Sequence, residues 1–387
     1  MSVTIVPTGG VRYWQRVLAR RYTTLQPTQD SPQNQLTMPN SPAPLVPATA
    51  TVSLGKPGGH SLPSILEATA QAGLLGIEIC YSNLLYHAVQ LTNATSTDDI
   101  DTEALLEAAQ DTKRICAEHG LSIITFQPFA VYEGLIDEEA HRQKVEKFKL
   151  WLRLAKALDC DMIQMPSNRE RNSTTGDFER IVTDLREVAD LAAVEDPPVR
   201  IAYEALAWGA HVYLWEQSWD MVKGVDRENV GLCLDTYHIA AQVWANPEDE
   251  SGKRPDGDEA LKASLEKLVK EVQVEKMFYL QLSDAERLVQ PLVEGHEWHD
   301  ASMPSRMSWS RNARLFPFEE EHGGYLPVLP IAKAVVNEFV YRGWVSMEMF
   351  SRHLLDESDQ GIPERFAKRA MVSYGKVAKE LGWEALT

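Results

Sequence analysis

Cysteine is scarce and unpaired in this sequence. Cys80, Cys116, Cys160 and Cys233 are its four cysteines, they stand far apart, and no Cys-x-x-Cys occurs. A disulfide framework and a thiolate zinc site are therefore excluded, and a reducing, cytoplasmic setting fits. Long apolar runs are also missing: none approaches the roughly 18 to 20 uninterrupted residues of a membrane helix. Positive charge is thin, with 38 Lys and Arg against 56 Asp and Glu and a formal net charge of −18. A nucleic-acid binder needs a clustered basic track to displace counterions, so that class is excluded. A small anionic substrate remains admissible if a metal or an arginine supplies a local positive spot.

Two common signatures fail on inspection. HisGluTrpHis at 296–299 has Asp300 where a zinc-protease helix would carry its second His. LysProGlyGlyHis at 56–60 lacks both the Gly-x-Gly-x-x-Gly spacing and the Gly-Lys-Ser/Thr ending of nucleotide loops, and reads as a turn. His211 reads as a solvent-facing loop residue.

What is present is a long chain with a regular pattern. At 387 residues and 44% hydrophobic content it can bury one large core or two smaller ones. Residues 1–46 stand apart: Arg12, Arg16, Arg20 and Arg21 face a single acid, Asp30, and a Pro/Gln/Ser/Asn/Thr stretch follows. The composition predicts a disordered extension, which a transit peptide, a solvated tail or a stretch upstream of the true start codon would each fit. Residues 47–387 then read as one catalytic domain, with a homo-oligomer left open.

Within that domain, short β-rich runs alternate with longer helical segments, the pattern of parallel strands joined by crossovers. The runs are ThrValSerLeuGly from Thr51, GlyIleGluIleCys from Gly76, LeuSerIleIleThrPheGln from Leu121 and MetIleGlnMetPro from Met162. They continue with ArgIleAlaTyrGluAla from Arg200, ValGlyLeuCysLeuAsp from Val230, MetPheTyrLeuGlnLeu from Met277 and TrpValSerMetGluMet from Trp344. Glu139 to Leu158 and Asp177 to Ala193 carry apolar residues at helical spacing. Eight such units predict an α/β fold of the (β/α)8-barrel type rather than an open doubly wound sheet. The longest irregular stretch, roughly residues 285–330, reads as a lid or binding loop.

Active sites of such barrels lie at the C-terminal strand ends, so polar residues late in an apolar run matter most. Glu204, Asp235, Gln281 and Glu348 end the fifth to eighth runs. Each alone could cap a helix or pair with an arginine. Together they would bury three carboxylates at one mouth, a costly arrangement without a counter-cation. Their all-oxygen donor set suits Mg²⁺, Mn²⁺ or Co²⁺. Glu78 is set aside as structural, because it stands across the barrel from the other four. His238, one turn beyond Asp235, is placed for acid/base work. The long loop contributes Ser310, Arg311 and Arg314 to an otherwise acidic chain, and the planar fork of Arg314 would suit a substrate carboxylate.

SerLeuGly followed by GlyHisSerLeu, GlyIleGluIle, ThrPheGlnProPhe, TyrGluAlaLeuAlaTrp, LeuCysLeuAspThrTyrHis, LeuGlnLeuSerAsp, ArgAsnAlaArgLeuPhePro and SerMetGluMetPhe together resemble the 3-dehydroshikimate dehydratases of quinate and shikimate catabolism. These lie within the xylose-isomerase-like barrel superfamily, and the resemblance runs from about Val52 to Leu381. It implies that Glu204, Asp235, Gln281 and Glu348 hold a divalent metal, that His238 performs acid/base catalysis, and that Ser310 and Arg314 orient 3-dehydroshikimate. Arg306 and Arg311, in the same loop, compete with Arg314 for the substrate carboxylate. The implied reaction is loss of water to give protocatechuate. A sugar or keto-acid isomerase or epimerase could use the same barrel and metal, and a non-catalytic small-molecule-binding barrel is the reading from another class.

Overall fold

The computed structural model describes residues 45–383, and the reading of residues 1–44 as a disordered extension lies outside them. Eight parallel strands close into a barrel: β1 (Val46–Ala50), β2 (Gly76–Cys80), β3 (Ser122–Gln127), β4 (Met162–Pro166), β5 (Arg200–Glu204), β6 (Val230–Asp235), β7 (Met277–Leu282) and β10 (Trp344–Met347). Neighbours around the barrel follow chain order, and β10 closes it against β1. Between β7 and β10 the chain makes a two-residue antiparallel ribbon, β8 (Asp284–Ala285) with β9 (Arg314–Leu315).

The first strand differs from expectation. Thr51–Ser53 is a short 3₁₀ turn, and the strand is the preceding Val46–Ala50, which begins at the last residue assigned to the extension. Pro47 hides it in the sequence, since a proline cannot donate to a ladder and demotes a run that contains it. Here Pro47 contributes its carbonyl, which accepts from the Leu75 N–H at 3.0 Å.

The helices start where their caps are. Ser61 caps α1 (Leu62–Gln71), Asp101 caps α3 (Thr102–Glu118), Asp137 caps α4 (Glu138–Ala157) and Asp177 caps α5 (Phe178–Ala193), each side-chain oxygen accepting an otherwise unpaired N–H of the first turn. Between α1 and α3 lies α2 (Tyr81–Thr92). On α4, Val145, Phe148, Trp151, Leu152 and Leu154 form the buried stripe. Trp151 packs on Phe126 of β3 with ring centroids 4.2 Å apart, which fixes that helix against the barrel wall. The remaining helices are α6 (Trp215–Val225), α7 (Thr236–Val243), α8 (Gly257–Glu271), α9 (Ser305–Ala313), α10 (Val328–Lys333) and α11 (Ile362–Glu380).

The 285–330 stretch is more ordered than its composition suggests. It contains the β8–β9 ribbon, α9 and the start of α10. Arg314 sits in register with Ala285, immediately beyond the end of β7, so the excursion leaves the barrel and returns to the same point. Asp284 secures this return: its Oδ1 accepts from the backbone N–H groups of Ala285, Tyr325 and Leu326 at 2.7, 3.1 and 2.8 Å.

Candidate active site

Strand alternation puts Glu204, Asp235, Gln281 and Glu348 in the barrel interior. Ala202, Cys233 and Tyr279, each two residues earlier on its strand, form part of the apolar plug beneath them. All four polar residues are buried.

Each carboxylate has one oxygen tied down; among the described residues the other has no hydrogen-bond partner in Glu204 and is turned to Arg314 in Asp235 and Glu348. Gln164 of β4 donates its amide to Glu204 Oε2, and Glu204 Oε1 is buried without a hydrogen-bond partner. Asp235 Oδ1 accepts the Tyr237 N–H at 2.7 Å, capping α7, while Oδ2 accepts from Arg314 Nη1 at 2.7 Å. Glu348 Oε1 accepts from Gln127 Nε2 at 3.2 Å, and Oε2 from the same Arg314 Nη1 at 3.2 Å. Asp235 is therefore both a helix cap and a member of the site.

His238 completes the cluster. Its Nε2 lies 3.7 Å from Glu204 Oε1 and 3.6 Å from Asp235 Oδ2, and one ligand atom each from Glu204, Asp235 and His238 falls within a 4.8 Å group. The Ala207 N–H donates to Nδ1 at 3.0 Å, while Arg314 Nη2 approaches Nε2 to 3.0 Å. A neutral imidazole has one lone pair for these two donors. Both contacts disfavour a second ring proton. Burial first, and then the Arg314 charge, hold the imidazole well below its ordinary range. Trp208 meets the ring edge-on at 4.9 Å.

The electrostatics call for more positive charge than the chain supplies. Among the described residues Arg314, 1% exposed, is the one guanidinium that meets Asp235 and Glu348. Burial, with the charges of Glu348 and Asp235, lifts Glu204 well above the carboxylate range, and burial with the charge of Glu78 pushes Glu348 up to about 8. An unpartnered buried oxygen, two more oxygens sharing one guanidinium nitrogen and an oxygen-rich donor set fit a divalent cation.

The sequence-predicted residues do not all meet. Among the described residues Gln281 makes no hydrogen bond to the three carboxylates, although it stands in register with Asp235: its Nε2 donates downward to Glu78, and its Oε1 lies 3.2 Å from the Cys233 thiol. Ser310 touches the site through Arg314, whose Nε donates to its hydroxyl at 2.8 Å. Arg306 is spent on the carbonyls of Ala241 and Ala245 at 2.6 and 3.2 Å. Arg311 is exposed and has no carboxylate partner among the described residues; desolvation and the nearby Arg169 charge lower its pKa. His211, expected to face solvent, bridges the two neighbouring loops through Thr174 Oγ1 at 3.1 Å.

Three polar residues that touch this cluster are not among the candidates named from the sequence: Glu78, which reads there as structural, and Gln127 and Gln164. All three carry the signal used for the others, a polar residue inside an apolar run on a barrel strand, as in IleGluIle, ThrPheGln and IleGlnMet.

Comparison with known proteins agrees with this architecture. Residues 66–370 match the family described as xylose isomerase-like TIM barrel. The chain is 42% identical over 337 residues to the 3-dehydroshikimate dehydratase of Neurospora crassa, covering 86% of this chain and 94% of that protein. Among solved structures, a xylose isomerase-like TIM barrel/4-hydroxyphenylpyruvate dioxygenase fusion protein superposes with a TM-score of 0.65 at 26% identity, over 88% of this chain and 43% of the longer one. The IOLI protein with a bound zinc atom shares the fold at a TM-score of 0.62 and 18% identity, covering 88% of this chain and all of that one. The chain belongs to the xylose isomerase-like TIM-barrel family, within the group of the 3-dehydroshikimate dehydratases.

Proposed function

We propose that this chain is a hydro-lyase that dehydrates 3-dehydroshikimate to protocatechuate, as a step of quinate or shikimate breakdown in a reducing, cytoplasmic compartment. One observation carries the reading: Glu204 and Asp235 each present an oxygen beside His238, and Glu348 reaches the same cluster through Arg314, which it shares with Asp235. The 42% identity to a protein of that name supports the substrate.

Glu204, Asp235 and Glu348, with Gln281 as a fourth donor, hold a divalent cation, of which Mg²⁺, Mn²⁺ and Co²⁺ suit the oxygen set. When bound, that cation supplies the positive charge that stabilises negative charge developing on the substrate ketone oxygen. His238 exchanges protons with substrate through Nε2, the ring nitrogen that faces the carboxylates. A proton leaves the carbon beside the ketone, the neighbouring hydroxyl departs as water, and tautomerisation yields the aromatic ring. The water-poor surroundings of His238, 4% exposed, keep these transfers between protein and substrate.

Ser310 holds the Arg314 fork at Nε, and its Nη atoms, which meet Asp235, Glu348 and His238, would be the ones to turn to substrate if a cation took up the two carboxylates. Arg311 adds a second charge for the ring carboxylate, favoured by its lack of an anionic partner among the described residues. An isomerase on the same scaffold would return the proton rather than lose water.

The test is an ultraviolet assay with 3-dehydroshikimate after EDTA treatment, with each of the three metals restored in turn. Metal-dependent appearance of protocatechuate is the expected result. Absence of product with every metal would remove this substrate and turn attention to ketose and keto-acid isomerisation.

A further inference from the structure

Glu78 is the carboxylate for which the reaction has no use. It lies on β2, at the centre of the barrel and fully buried, with no cation in contact. Neutral donors surround it instead. Its Oε2 accepts from Gln127 Nε2 at 2.8 Å and from the Tyr279 hydroxyl at 3.1 Å. Gln281 Nε2 lies 3.2 and 3.1 Å from the two oxygens, and the Ser346 hydroxyl donates to Oε1. These four partners come from β3, β7 and β10.

A buried charge held only by neutral dipoles costs more than an apolar or amide side chain of the same shape. What an ionised carboxylate does that an amide cannot is accept at every lone pair. A carboxamide placed against it must present its N–H end. For Gln281 this turns Nε2 inward and sets Oε1 on the far side of the group, toward β6, the strand that carries Asp235. For Gln127, Nε2 meets both Glu78 and Glu348 Oε1, leaving Glu348 Oε2 for the shared point.

We propose that Glu78 is a positioning residue for the cation site: by accepting the amide hydrogens of Gln281 and Gln127 from below, it fixes which end of each carboxamide faces the ligands above. This inference rests on the metal-site reading. The amide that carries a ligand oxygen and the amide that steers Glu348 take their polarity from one acceptor on a strand that contributes no ligand of its own. Outer partners of this kind commonly govern metal affinity.

The experiment compares full-length wild type with Glu78→Gln, both stripped with EDTA and titrated with Mn²⁺ by calorimetry, alongside thermal unfolding of the stripped proteins. The substitution keeps shape and removes the charge, but brings N–H groups against those of Gln127 and Gln281, so at least one amide must reverse. Mn²⁺ binding weakened by about 10- to 100-fold, with unfolding at an equal or higher temperature, is the expected pair of results. A residue that only supports the fold would lower the unfolding temperature and leave affinity within threefold or so of wild type; that result would overturn the proposal. A second comparison, Glu78→Gln in a Gln127→Met background, should weaken binding by less than in the native background, because part of the effect is already lost. Undiminished weakening there would remove Gln127 from the argument. If wild type itself binds no Mn²⁺, the metal reading falls, and this inference with it.

Discussion

The backbone N–H of Ala207 points at Nδ1 of His238 from 3.0 Å, so the loop after β5 decides the tautomer of an imidazole carried by α7. With that lone pair engaged, the neutral ring bears its proton on Nε2, so accepting a substrate proton at Nε2 first requires the tautomer to switch and this contact to open. Nitrogen-detected NMR of the metal-free protein should show Nδ1 of His238 as the unprotonated nitrogen. Replacing the residue, His238→Ala, should leave Mn²⁺ binding largely intact and lower turnover by about two or more orders of magnitude. Near-normal turnover would remove the residue from the chemistry.

Glu204 should oppose folding and favour metal. Its Oε1 has no partner and its nearest charges are Glu348 and Asp235. Glu204→Gln removes the cost of burying a carboxyl that ionises in the unfolded chain, so the metal-free variant should unfold at a higher temperature than metal-free wild type. Added Mn²⁺ should then stabilise the variant less, since binding contributes in proportion to the logarithm of ligand concentration over Kd, about 2.7 kcal/mol at a hundredfold excess. Scanning both proteins with and without Mn²⁺ checks the two signs at once.

The two loop arginines should separate kinetically. Arg311→Ala, which removes a charge lacking an anionic partner among the described residues, should raise KM about tenfold and leave kcat near wild type, the mark of lost ground-state binding. Arg314→Ala should cut kcat, because its fork touches Asp235, Glu348 and His238 together. Steady-state kinetics on both variants would show whether the roles are reversed.

Asp284 gives a pH dependence away from the chemistry. Burial pushes its carboxyl up to about 7 against an ordinary value of 3.8, despite the backbone N–H groups at Oδ1. The folded chain thus holds a proton that the unfolded chain has released. The associated stability is complete below the unfolded value, declines as pH rises, and is lost beyond about 7. The slope from one such group is at most about 1.4 kcal/mol per pH unit. Asp284→Asn keeps the acceptor and removes the titration, so it should gain on wild type between pH 5 and pH 8 in denaturant midpoints measured on stripped protein. A pH-independent difference would show that Asp284 is ionised throughout.

Much of this architecture is legible in the chain, for identifiable reasons. The runs at Gly76, Met162, Val230 and Met277 begin where their strands do, because fully buried parallel strands need continuous apolar residues bounded by turns. The first strand is displaced in the sequence reading because Pro47 breaks that signal and the β-branched Thr51 and Val52 imitate it in a turn. Helix α9 has no apolar stripe to reveal it: SerArgMetSerTrpSerArgAsnAla is mostly polar, and its order comes from contacts such as Ser308 Oγ to the Trp298 carbonyl. The candidate ligands could be found one by one from strand ends. The ties of Glu204 and Glu348 to amides on other strands could not, since partners such as Gln127 and Glu348 are 221 residues apart and meet only when the barrel closes.

The β8–β9 ribbon has a consequence for how such an enzyme changes substrate. Ala285 and Arg314 face each other across it, so the excursion from 286 to 313 begins and ends at one spot on the barrel rim. The cost of closing a loop grows only slowly with its length, so a longer or shorter excursion fits between the same two anchors. Ser310 and Arg311 travel with that excursion, whereas Glu204 and Asp235 are strand residues and Glu348 directly follows β10. The segment is a cassette: grafting in another would exchange the groups that recognise substrate while the oxygens for the cation stay where the barrel puts them.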